Sequence, residues 1–172
     1  MKIARLLQLF FFLFIIIISS CSDNDEEIGD TSLISFEEAT FSEDEFIIYL
    51  TEDPNEKTFS FGAGTYNFTN TIPLADIENL TIKGAGIDET YFDFSNSAST
   101  SGEGIAATQC SNLLFCGFTI QNTNGGNAIT ARNITGLRID GVGTVWPESS
   151  PDNGAYGIYP VESDDVIVEN CY

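Results

Sequence analysis

The chain has 172 residues, room for one domain with a real core, and carries 26 acidic against six basic residues, a formal net charge of −20. Lys2 and Arg5 precede residue 20 and every acidic residue follows it, so the remainder sets four basic against 26 acidic residues, a net charge of −22. That balance argues against nucleic acid and an anionic membrane surface as direct partners. The absence of any His removes His-based triads, His general bases and most zinc sites.

Residues 1–20 are expected to be an address. Lys2 and Arg5 lead into an apolar run from Leu6 to Ile18, interrupted by Gln8, and small Ser19 and Ser20 follow. A basic end, a short apolar stretch and small residues before a cut site predict a secretory signal peptide. The run is short beside the ~20 residues that cross a membrane; the alternative is an uncleaved anchor helix. The phrase "ISSC" resembles the lipobox of bacterial lipoproteins, which implies acylation of Cys21 as the lipid-attachment residue and anchoring in a bacterial cell envelope, at the outer membrane or cell surface. Several acyl chains at ~0.8 kcal/mol per buried CH₂ would hold such a protein on its membrane.

Residues 21–40 carry, directly after Cys21, "SDNDEEIGDTS", too charged and too poor in apolar side chains to fold alone, and are expected to form an acidic flexible tether. An acidic run after a lipidated Cys is similar to the surface-export signal of Bacteroidetes lipoproteins; the alternative is a solvated spacer. A β-helix domain is then expected over 41–172, with a cap over 41–70 and coils over 71–172. Ser42 and Glu45 have capping-box spacing, Phe41 and Phe46 the spacing of a hydrophobic staple, and Phe46, Ile47 and Leu50 lie on one helical stripe. These features predict a short helix from Glu43 to Glu52.

Four fifteen-residue blocks follow that align without a gap: TIPLADIENLTIKGA from 71, GIAATQCSNLLFCGF from 104, AITARNITGLRIDGV from 128 and GIYPVESDDVIVENC from 157. The second position is Ile72, Ile105, Ile129 and Ile158; the tenth is Leu80, Leu113, Leu137 and Val166; the twelfth is Ile82, Phe115, Ile139 and Val168. Gly84, Gly117, Gly141 and Asn170 share the fourteenth position, where unusual backbone angles are tolerated. Spacings of 33, 24 and 29 residues with strand-like alternation point to a solenoid. The Leu-rich consensus of leucine-rich repeats is missing, and β-branched period-two segments with Gly or Asn turns predict stacked β-coils instead. With no polar cap after the fourth block, the coils are expected to continue past Tyr172 or to meet a partner there.

The phrases "GAGTYNF", "NLTIKGAGIDETYFDFS", "EGIAATQCSNLLFCGFTIQNTNGGNAI" and "NGAYGIYPVES" resemble the right-handed parallel β-helix proteins of the pectate-lyase-like superfamily, in particular bacterial parallel β-helix repeat proteins, over about two thirds of the chain. The resemblance implies an all-β fold, a right-handed parallel β-helix with a short N-terminal capping helix. It implies no settled activity.

Two places could carry function. The nine- and five-residue excesses over the 24-residue spacing fall between the Gly position and the next Ile position, and are expected to project from one flank. There Trp146 and Tyr156 are suited to stack on a sugar ring while Glu148 and Asp152 bind its hydroxyls; the alternative is Trp146 packed beneath its own loop. The thirteenth position reads Lys83, Cys116, Asp140, Glu169, so Asp140 and Glu169 should face outward on adjacent rungs as a two-carboxylate metal site for Ca²⁺, with Arg138 on the same face. Pectate lyases use acidic Ca²⁺ ligands and an Arg base, so the resemblance implies a Ca-dependent polysaccharide lyase or epimerase as one alternative. Arg138 simply pairing with a carboxylate is the other. The expected function is carbohydrate or envelope-polymer binding, with a structural scaffold as a third reading. Cys110, Cys116 and Cys171 occupy different positions of the block and are expected to stay out of disulfides.

Overall fold

The computed structural model of the chain describes residues 32–146 and 156–172. Cys21, the signal segment, Glu148 and Asp152 lie outside the described residues.

The chain winds as a parallel β-solenoid of three faces. The first face stacks β1 (Ser32–Phe36), β2 (Lys57–Phe61), β5 (Glu78–Lys83), β8 (Ser111–Gln121), β10 (Thr135–Val145) and β12 (Asp164–Glu169) in that order. The second face carries β3 (Gly64–Asn67), β6 (Thr90–Asp93) and the C-terminal ends of β8 and β10. The third stacks β4 (Ile72–Ala75), β7 (Ile105–Thr108), β9 (Ile129–Arg132) and β11 (Ile158–Val161). β8 and β10 are long because each rounds the corner between the first two faces without breaking, at Gly117 with φ +67° and Gly141 with φ +61°. Gly84 serves the same corner through space instead: a Cβ there would sit 2.1 Å from the Gly117 carbonyl oxygen.

The register follows the aligned blocks. Ile72 pairs with Ile105, Ile105 with Ile129 and Ile129 with Ile158, and Leu80, Leu113, Leu137 and Val166 form the same kind of ladder. The first three residues of each ladder are buried, whereas Ile158 and Val166 on the last rung are half-buried. Each buried aliphatic side chain is worth about 1.5–3 kcal/mol relative to exposure, but only a neighbouring rung can cover it.

The first coils are aromatic inside. Phe36, Phe59, Phe61, Tyr66, Phe68, Phe92 and Phe94 fill the N-terminal end of the tube, with stacked and edge-on ring contacts running through it. The helix α1 (Glu43–Glu52) closes that end. Phe46, 0% exposed, presents its ring edge to Phe36, Phe59, Phe61 and Phe68. Ser42 accepts from the Glu45 amide as its spacing predicts, and Phe41 lies 6.5 Å from Phe46 as a staple. Only half of the capping box forms, because the Glu45 carboxylate accepts from the Tyr49 hydroxyl. Glu43 does the further fastening: its carboxylate accepts from the backbone amides of Thr69 and Asn70 and from the Thr69 hydroxyl.

The solenoid begins earlier than the blocks suggest. β1 lies within the stretch expected as a tether and pairs in parallel with β2 over five residues, and β2 and β3 lie within the stretch expected as cap. The Tyr66 hydroxyl ties β1 down by donating to the Phe36 carbonyl at 3.0 Å. Burial, and then the charges of Glu37 and Glu38, push that phenol up to about 12.

The corner between the third and first faces shows why such different residues align. At the sixth position of the block Asp76, Gln109, Asn133 and Glu162 have φ between 52° and 56°, and at the ninth Asn79, Asn112, Gly136 and Asp165 have φ between 52° and 77°. Both positions are left-handed on every rung, and polar side chains plus one glycine supply them. Between them Ile77, Cys110 and Ile134 point inward and are buried. Asn133→Ala should therefore lower the unfolding free energy by about 1–2 kcal/mol, while Asn133→Gly should fall clearly short of that loss; chemical denaturation of both variants measures the difference.

Candidate functional site

The extra residues of the longer coils divide between two corners. Because Tyr91 pairs with Thr119, five of the nine extra residues in the first excess, 85–89, make a turn before β6, held by Thr90 and Glu89 amides donating to the Gly86 carbonyl. The other four lengthen the loop over 94–104. The whole five-residue excess of the later coil falls after Val145, which pairs with Gln121. The flank between the second and third faces thus collects the loops 94–104 and 122–128 together with Trp146 and Tyr156, while residues 147–155 of the later excess lie outside the described residues.

On that flank Trp146 sits half-buried against the core, and its indole N–H donates to the Thr123 hydroxyl at 2.7 Å. Thr123 in turn donates to the Gly126 carbonyl. The indole is therefore docked onto the loop of the preceding coil, and its polar edge is already used. Tyr156 is different. It is 53% exposed, and its ring stacks on Tyr159 with centroids 4.8 Å apart and planes 8° from parallel. The Tyr156 backbone is clamped on both sides, its amide donating to Asn127 Oδ1 and its carbonyl accepting from the Ala128 amide. Gly157 lets the chain approach β10 there, since a Cβ would come within 2.6 Å of Thr144 Oγ1.

Tyr159 escapes the sequence reading, although a signal exists: it stands at the third, outward position of its block, which otherwise holds Pro73, Ala106 and Thr130. It pairs in register with Thr130, an outward residue only 3% exposed. The Thr130 hydroxyl donates to Glu103 Oε1 and accepts from Asn127 Nδ2. The two tyrosines therefore stand beside a fixed polar network rather than on a loose loop.

The thirteenth position forms the expected column, with Lys83, Cys116, Asp140 and Glu169 in register. Arg138 bridges the two carboxylates: Nη2 lies 3.4 Å from Asp140 Oδ2 and contacts Glu169 Oε1. Asp140 Oδ1 accepts from Asn170 Nδ2 at 2.7 Å. The guanidinium thus relieves the repulsion that a cation would otherwise have to relieve. Among the described residues no group of three or more His, Cys, Asp or Glu side chains gathers to hold a metal. Cys110 is buried beside Ile77 and Ile134 in its column, and burial raises its thiol above the ordinary value.

A second carboxylate cluster is not visible in the sequence. Asp93, at the end of β6, accepts from Gln121 Nε2 at 2.8 Å, from Asn122 Nδ2, and from the Ser95 amide at 2.7 Å. Burial pushes its carboxyl up, but the hydrogen bonds from Ser95, Gln121 and Asn122 together outweigh burial and hold it below its ordinary value near 3.8. Since Asp93 and Gln121 are register partners, the cluster clasps two rungs at the same flank.

Comparison with protein-family models, with curated proteins and with solved structures finds no match to the chain. Function therefore rests on these side chains alone.

A carboxyl depressed in the folded state adds stability above its unfolded value and loses it as pH falls through the folded one. Asp93→Asn should cost about 1–2 kcal/mol at neutral pH and flatten the fall of stability below about pH 3.8. Urea denaturation across that pH range measures both effects.

Proposed function

We propose that the protein is a lipoprotein of a bacterial cell envelope, anchored through Cys21, whose β-solenoid binds polysaccharide on the flank that carries Tyr156 and Tyr159. The observation that carries the reading is the exposed, parallel ring pair, clamped by Asn127 and set beside the Thr130–Glu103 network. Flat aromatic faces cover the C–H faces of sugar rings, and the hydrogen bonds that join Asn127, Thr130 and Glu103 hold the backbone beneath the rings in place. Rigid tyrosines lose little conformational freedom on binding, so the platform is prepared before the ligand arrives. Trp146 buttresses the flank rather than meeting the sugar. The net charge of −20 repels uronic-acid polymers and leaves neutral glycans as the favoured class. The lipobox-like "ISSC" and the acidic run after it support envelope anchoring, and the resemblance to the pectate-lyase-like superfamily supports a polysaccharide ligand.

A panel of neutral and uronic polysaccharides tested against the full chain in detergent should yield binding to at least one neutral glycan. Tyr156→Ala should weaken it about tenfold, equivalent to ~1.4 kcal/mol. Silence across the panel would leave a scaffold as the function. Labelled fatty acid should enter the wild-type chain and not Cys21→Ser when each is expressed in a bacterial host.

A further inference from the structure

A second site lies on the first face, away from the tyrosine flank, and does not depend on it. At the ninth position of the block Asn112 Nδ2 donates to Asn79 Oδ1 at 2.9 Å, the start of a ladder of side-chain amides up the solenoid. The next rung interrupts it with Gly136, and the rung after that has Asp165. The interruption is directional. A Cβ on Gly136 would lie 2.8 Å from Asn112 Oδ1, so that oxygen points at the missing side chain, and among the described residues no donor meets it. A groove of about 320 Å³ opens over the gap, within the range of small-ligand pockets.

The neighbouring eleventh position lines the groove with Thr81 on the first rung and largely hydrocarbon beyond it. Leu114, Arg138 and Ile167 follow one another in register there, and Ile167 is 49% exposed. The Arg138 guanidinium is drawn to Asp140 and Glu169 in the thirteenth column, which leaves its methylene stem beside Leu114 and Ile167. The groove therefore offers an amide oxygen on one side, a carboxylate two rungs away, and hydrocarbon alongside, on a chain of net charge −20.

Asn112 and Asp165 are both exposed, so their oxygens are open to a ligand rich in N–H groups, and the field of the acidic chain selects a cation over an anion. The hydrocarbon between them requires an aliphatic stem. We infer that this groove binds aliphatic amines of the linear polyamine class. Ammonium groups sit on Asn112 Oδ1 and the Asp165 carboxylate, and methylenes lie across Leu114 and Ile167.

The test is calorimetric titration of the full chain in detergent with spermidine at physiological ionic strength. One saturable site is expected. Gly136→Asn should abolish it or weaken it at least tenfold, because Asn tolerates the left-handed φ of +77° while its Cβ, 2.8 Å from Asn112 Oδ1, displaces that oxygen and fills the gap. Asp165→Asn, an exposed isosteric change, should weaken it similarly and covers the case in which Gly136→Asn fails to fold. Absence of a saturable site in the wild-type chain would overturn the inference. Binding unchanged in a folded variant would do so too, since it would mean diffuse attraction of a polycation to an acidic surface.

Discussion

No coil of this protein can bury its own apolar side chains. Each rung offers one or two inward residues per face, and only the rungs on either side, in register, remove them from water. The Ile72–Ile105–Ile129–Ile158 ladder is the clearest expression of that constraint. Hydrogen bonding follows the same rule, since a parallel strand satisfies its amides and carbonyls only through its neighbours. Register is thus what places every outward group, including the tyrosine pair, the Arg138 bridge and the gap at Gly136.

The end of the tube poses a separate problem, which the N-terminal side solves with aromatic mass. A coil next to the end has one neighbour rather than two, so larger side chains and a helix replace the missing rung. Phe46 does most of this by meeting five phenylalanine rings at once. Glu43 then fixes the helix to the coil by three hydrogen bonds to Thr69 and Asn70. Farther along, the inward residues are mostly Ile, Leu and Ala, with Phe115 and Phe118 the remaining buried rings.

The sequence made the aliphatic coils legible because their inward positions repeat the same residue types at the same offsets. The coil before them was hidden for a physical reason. Register places Lys57 where Leu80 stands one rung on, and its ammonium escapes to Asp53 at 3.0 Å, so the hydrophobic beat fails at a position that still belongs to the fold. The sixth and ninth positions were hidden differently. Asp76, Gln109, Asn133 and Glu162 have no common size or charge, and what they share is a backbone angle that hydropathy does not record. At the candidate site, the acidic pair of Asp140 and Glu169 was legible from alternation, but its bridging by Arg138 depends on rotamers. Tyr159 was overlooked because stacking between residues three apart requires the turn at Gly157, which neither strand nor helix periodicity anticipates.

The central claim is the register itself. Methyl-labelled isoleucine in an otherwise deuterated chain allows it to be read by nuclear Overhauser contacts. The account predicts cross-peaks between Ile72 and Ile105, Ile105 and Ile129, and Ile129 and Ile158, with none between Ile72 and Ile158. Missing sequential contacts, or a contact that joins the two ends of the ladder, would contradict it.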